Sequence, residues 1–307
     1  MTIQADWLRG CATALVTPFQ ADGTVDETRL RELVEFQIEG GVRLIVPCGT
    51  TGESATMSEA EDEFVISTVI DAAKGRAKII AGTGSNSTAA AIAYSQKAHQ
   101  LGADAVLQVA PYYNKPTQEG LYAHFRAVAE SINGLPVVIY NVPGRTSSNI
   151  SAQTTVRLAK DVENIVAVKE ASGNLSQIME ILRERPTGFY VLSGDDSLTL
   201  ALIALGGDGL ISVASNEAPR LMSGLIDLAL AGDWQAARDL HYQLLPLMEV
   251  NFIESSPGPV KAALAMMGLI EENLRLPLVP IQPKSRERLR SVLLETGLLR
   301  EPSHAAA

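Results

Sequence analysis

Positive charge is in short supply in this chain of 307 residues: 25 lysines and arginines face 35 aspartates and glutamates, a net charge of −10. A surface of that sign repels a phosphate backbone and an anionic bilayer alike, so neither nucleic acid nor membrane is expected as a partner. Cysteine is nearly absent. Cys11 and Cys48 each lie inside an apolar, strand-like run and are expected as buried, reduced thiols, which fits a cytoplasmic location. No apolar run reaches the roughly 18 residues of a membrane span. The opening MTIQADWLRG has no basic segment followed by an apolar one, so no signal peptide is expected. Histidine is sparse too: His99, His124, His241 and His304 are scattered, without the HxxH or HExxH spacing of a metal centre. GTGSNS (82–87) lacks the third glycine of a dinucleotide fingerprint.

Apolar side chains, by contrast, are plentiful: 46% of residues against 20% charged, enough for a large core. They fall into a repeat of short apolar run followed by amphipathic stretch. Candidate strands are 11–17, 42–48, 78–82, 105–110, 136–142, 165–169, 189–193 and 209–213. Each is rich in Val, Ile and Leu with little polar alternation, the pattern of strands buried on both faces. Between them Leu30, Leu33, Val34 and Ile38 form one helical stripe, and Phe64, Val65, Thr68, Val69 and Ala72 another. Ser58 with Glu61 is a capping box for the second. Gly40 with Gly41, Gly102, and Gly206 with Gly207 mark helix ends. Eight strand–helix units imply parallel pairing, right-handed crossovers and closure into a (β/α)8 TIM barrel. Beyond about residue 217 only helices are expected, near 217–231, 233–250, 257–270 and 284–297. The chain thus divides into a barrel over 1–231, carrying the active site, and a C-terminal helical extension over 232–307.

An α/β barrel places its chemistry at the C-terminal ends of the strands. The second strand is followed there by GTTGES (49–54), the fourth by PYYNKP (111–116), and the fifth runs into IYNVPGRT (139–146). The sixth ends in VAVKEAS (166–172) and the seventh in LSGDD (192–196). Lys169 is the most telling residue. A lysine closing a valine-rich strand is desolvated, its ammonium is disfavoured, and the neutral amine is the nucleophile that condenses with a ketone. The plain alternative, an ion pair with Glu170, conflicts with the alternation of neighbouring strand residues between faces. Tyr140, in the preceding strand, could move protons for such an imine, or merely pack. Thr50 and Tyr113 could relay those protons to solvent. Arg145 has the fork for a carboxylate, or is a solvated loop arginine. Asp195 and Asp196 read most simply as a helix N-terminal cap.

Taken together, GTTGES, PYYNKPTQEGLYAHF, IYNVPGRT, VAVKEAS and LSGDD resemble, in order and spacing, the dihydrodipicolinate synthase/N-acetylneuraminate lyase superfamily over about residues 9–297. The resemblance implies a barrel with C-terminal helices, a homotetramer built as a dimer of dimers, and an imine between pyruvate and Lys169. It assigns acid/base catalysis to Tyr140 and the proton relay to Thr50 and Tyr113, the latter reaching into a neighbouring subunit's site. Thr51 would hold the pyruvate carboxylate, with backbone groups of Gly194 and Ile211 around the site. Arg145 would bind the carboxylate of L-aspartate 4-semialdehyde; no metal or organic cofactor is implied. The rival is another pyruvate-dependent aldolase or lyase of the superfamily, acting on a sugar acid or hydroxylated keto acid. A non-catalytic barrel that senses keto acids is a third reading, against which the intact reactive set argues. At the positions through which feedback-inhibited members bind lysine, Ser54, Asn86 and Tyr112 remain. Glu59 and Asp62 stand where such members carry histidines, and Ala90 where they carry an acid, so weak or absent inhibition is expected.

Overall fold

The computed structural model describes residues 3–132 and 134–300; the tail from Glu301, with His304, lies outside the described residues. Eight strands, β1 (Gly10–Ala14), β2 (Leu44–Val46), β3 (Lys78–Gly82), β4 (Ala105–Val109), β5 (Val137–Asn141), β6 (Ile165–Glu170), β7 (Tyr190–Ser193) and β8 (Gly209–Ser212), close into a barrel in chain order. The barrel is therefore the one expected, and each strand falls within a residue or two of its apolar run, except that β1 stops three residues short of the run 11–17. All pairings are parallel, and the seam is β1 against β8. Gly10 and Gly209 are partners there, and a Cβ on Gly209 would stand 2.2 Å from the Gly10 carbonyl oxygen, so this closure requires glycine.

Around the strands run α1 (Glu27–Glu39), α2 (Glu59–Ala73), α3 (Thr88–Leu101), α4 (Gln118–Glu130), the single turn α5 (Pro143–Thr146), α6 (Ala152–Asp161), α7 (Leu175–Glu184), α8 (Thr199–Ala204) and α9 (Pro219–Ala231). Their starts are written locally. Asp26, Ser58, Ser87, Thr117, Ser151 and Asn174 each accept a backbone N–H of the first turn, and Ser58 with Glu61 forms the full capping box. One expected stripe is rotated. α2 buries Val65, Ile66, Thr68, Val69 and Ala73, while Phe64 is 40% exposed. Wedged between α1 and α3, this helix centres its buried face on Val65 and Val69, leaving Phe64 at the outer edge.

Strand alternation sorts the core into two shells. Ala12, Leu44, Val46, Ile80, Leu107, Val138, Ala167, Leu192 and Ile211 fill the barrel interior, plugged at its base by Leu8 and Ala5. Their neighbours Ile45, Ile79, Val106, Ile139, Val168 and Val191 face outward against the helices. The last helices, α10 (Trp234–Val250), α11 (Gly258–Met266) and α12 (Pro283–Glu295), pack with α9 around Leu225, Leu244, Leu247, Leu289 and Val292. No helix among the described residues is long and apolar enough to cross a membrane. Both cysteines are buried and free.

Candidate active site

The site is built where β5 and β6 end. A register shift after Val137 aligns Tyr140 with Lys169 and Asn141 with Glu170. Alternation then sends the first pair into the barrel and the second out of it. Lys169 is 6% exposed, and its Nζ stands 4.2 Å from the centroid of the Tyr140 ring. Glu170, behind the wall, accepts from Asn141 Nδ2 (3.1 and 3.2 Å), the Ser172 N–H (2.7 Å) and Gln177 Nε2 (3.0 Å). Its carboxylate is occupied there, and the ion pair with Lys169 does not form. Asn141 also ties in the loop that follows Arg145: it donates to Asn149 (2.9 Å) and accepts the Ile150 N–H (2.9 Å).

Burial pushes the Lys169 ammonium down to about 8, opposed by the negative charge of Asp196 and aided by the positive charge of Arg145. That makes the neutral amine accessible near physiological pH. Burial likewise raises the Tyr140 phenol to about 12, against the field of Arg145 and a hydrogen bond with Thr50. Tyr140 therefore keeps its proton and can lend it. Thr50, Tyr140, Arg145 and the buried Thr146 line one open cleft of about 600 Å³, which continues outward past Ser54, Glu59, Asp62, Tyr94 and Tyr112. Thr51 is buried whereas its neighbour Thr50 is exposed, and Ile211 forms part of the interior wall. Gly194 has a steric reason: a Cβ there would lie 2.9 Å from Lys169 Cε and 2.7 Å from Ala171 Cβ. Tyr113 is the exception. It stands 89% exposed on the loop after β4 with φ +69°, and does not enter this chain's own site.

One residue escaped the reading of the sequence. Asp196 does not cap a helix: α8 begins at Thr199 with Leu198 as its N-cap and no side-chain cap bond. Asp195 turns the chain by accepting from the Ser197 N–H (3.0 Å) and hydroxyl (2.8 Å). Asp196 is 2% exposed and crosses to the end of β8, accepting from the Ser212 hydroxyl and the N–H groups of Val213 (3.0 Å) and Ala214 (3.4 Å). Nothing in the string LSGDD distinguishes a capping acid from one that reaches the adjacent strand.

Fold and site together define a class: α/β barrels that present a desolvated strand-end lysine, flanked by a phenol, to a carbonyl compound. The chain belongs to the dihydrodipicolinate synthetase family, whose sequence model matches residues 7–296. It is 54% identical over 299 residues to 4-hydroxy-tetrahydrodipicolinate synthase of Koribacter versatilis, covering 97% of this chain and 99% of that protein. Dihydrodipicolinate synthase of Aquifex aeolicus superposes with a TM-score of 0.94 at 47% identity, covering 96% and 100% of the two chains. The Acinetobacter baumannii dihydrodipicolinate synthase, solved as a complex with pyruvate, superposes at 0.93 with 46% identity, covering 95% and 100%.

Proposed function

We propose that this chain condenses pyruvate with L-aspartate 4-semialdehyde to give 4-hydroxy-tetrahydrodipicolinate, a step of diaminopimelate and lysine biosynthesis. The observation that carries the reading is Lys169, desolvated and seated over Tyr140 at the rim of a barrel whose relatives carry this activity in their names. The neutral Lys169 amine adds to C2 of pyruvate, and Tyr140 supplies and recovers the protons as water leaves and the iminium forms. Loss of a methyl proton gives the enamine, whose carbon attacks the aldehyde of the second substrate. That substrate's amine then adds to C2 and expels Lys169, so one water is released per product.

Thr51 and the backbone of its loop receive the pyruvate carboxylate, Gly194 and Ile211 border the ketone, and Arg145 takes the carboxylate of the semialdehyde. Thr50 passes protons from Tyr140 to Tyr113 of a neighbouring subunit. The exposure of Tyr112 and Tyr113 on the loop after β4 supports a neighbouring subunit at that edge, within a homotetramer made of two dimers. The described residues up to 231 form the catalytic barrel and those from 232 to 300 its helical extension, in a cytoplasmic protein. Pyruvate consumption by the purified protein with aspartate semialdehyde, against a panel of sugar acids and hydroxylated keto acids, tests the reading. Turnover only with a member of the panel would assign the chain to the rival aldolases, and no turnover at all to a non-catalytic barrel.

A further inference from the structure

The C-terminal helices reach the rim at a point that the chemistry above leaves unused. Lys261, on α11, and Glu53, in the GTTGES loop, bury their side chains completely, with Nζ 2.6 Å from Oε1. The second carboxylate oxygen, Oε2, accepts the backbone N–H of Arg275 at 3.2 Å. The Arg275 guanidinium in turn donates to the carbonyl oxygens of Gly23 (3.0 and 2.6 Å) and Thr56 (3.0 Å) and pairs with Glu61. The buried ring of Phe19 packs against both cations, with Lys261 Nζ and Arg275 Cζ each 4.3 Å from its centroid.

Stability alone is a poor reason for such a pair, since a buried ion pair is often matched by apolar residues of equal volume. Its location is more informative. Glu53 lies two residues beyond Thr51 with φ +55°, a left-handed backbone that a glutamate holds only when its surroundings impose it. Its N–H donates to the Thr50 carbonyl oxygen (3.2 Å), and its own carbonyl oxygen accepts from Thr56 (3.0 Å). Just before it, the Gly52 carbonyl oxygen accepts the Thr17 hydroxyl at 2.7 Å. The turn bearing Thr50 and Thr51 is thus fastened at Gly52 to the loop after β1 and at Glu53 to the C-terminal segment.

We propose that Lys261 and Arg275 are positioning residues which, through Glu53, hold the Thr50–Thr51 turn in the shape that receives the keto acid's carboxylate. The C-terminal helices thereby set the affinity for the first substrate. This rests on the reading of Thr51 as the carboxylate-binding residue.

The test is the neutral, near-isosteric double variant Glu53→Gln/Lys261→Met. It should fold with a thermal midpoint close to the parent's and keep kcat at saturating pyruvate. Its KM for pyruvate should rise roughly 10- to 100-fold, the scale of losing one charge-assisted hydrogen bond to the carboxylate. Borohydride trapping of pyruvate on Lys169 should shift to higher pyruvate by the same factor. A structural role alone would lower the thermal midpoint or the active fraction and leave KM unmoved, and that result overturns the proposal. Hydrogen exchange of the unmodified protein gives a second reading that needs no variant. With pyruvate trapped, peptides 49–56 and 258–276 should gain protection together; protection confined to 49–56 also overturns it. Absence of any Lys169 adduct in the parent would remove the reading of the site and this proposal with it, whereas an adduct with unchanged KM in the variant removes the proposal alone.

Discussion

Tyr140 and Lys169 are register partners on adjacent parallel strands, and the lysine amine lies over the tyrosine ring, 4.2 Å from its centroid. One desolvated environment therefore moves both groups, lowering the amine and raising the phenol. The result is a nucleophile and a proton donor in the protonation states that imine chemistry uses.

Incubation with pyruvate and borohydride should place one reduced adduct per chain on Lys169, identified by peptide mass. Only the neutral amine attacks, so the trapping rate should rise with pH through about 8 and level off above it. Lys169→Ala should be folded and nearly inert. An adduct on another lysine, or a trapping rate flat between pH 6 and 9 (a window chosen to bracket the lowered pKa), refutes the assignment.

Tyr140→Phe removes the proton carrier and keeps the ring over the lysine. Turnover should fall by roughly 10²- to 10⁴-fold, the range of general acid–base catalysis. The fold should be retained, because the buried ring remains. A kcat near that of the parent would reduce Tyr140 to a packing residue.

Arg145→Ala removes a charge-assisted contact worth about 1.5–3 kcal/mol, or about 10- to 100-fold. The loss should fall on aspartate semialdehyde, with trapping of pyruvate largely kept. Because the positive charge of Arg145 also holds the Lys169 ammonium down, the pH profile of trapping should move to higher pH. Equal loss for both substrates would mean that Arg145 only shapes its loop.

Gly194→Ala should slow imine formation and lower thermal stability as well, because the added Cβ also lies 2.7 Å from the inflexible Ala171 Cβ. The added Cβ meets the flexible Lys169 side chain at 2.9 Å, and the amine must shift to make room. Stopped-flow trapping against a thermal melt separates the two effects; an unchanged trapping rate would show that the lysine has slack.

L-Lysine should inhibit weakly or not at all. Ala90, in the first turn of α3, offers no carboxylate to an α-ammonium. Glu59 already accepts from the Tyr94 hydroxyl at 3.2 Å, and Glu63 pairs with Lys97 at 3.0 Å. Burial raises Asp62 to about 6, so it gains a full charge only above that pH. Strong inhibition by sub-millimolar lysine in an initial-rate assay would contradict this.

Local sequence determined the elements, their order and the faces of the strands. Periodicity marks eight buried strands, and alternation puts Lys169 and Glu170 on opposite faces, while the structure shows which of them faces the barrel interior. Strand ends also mark the rim, so GTTGES, IYNVPGRT and VAVKEAS point to one site before any coordinates exist. What the tertiary structure decided is partnership. Lys261 lies 208 residues from Glu53, and the two meet only because α11 is carried onto the loop after β2. Asp196 left its expected cap for Ser212 because the parallel pairing of β7 with β8 brings the end of β8 beside that of β7. Phe64 is exposed because the packing of α1 and α3 decides which side of α2 is covered. Periodicity is a property of consecutive residues, whereas the partner of a buried charge is set by the register in which distant strands and helices close on one another.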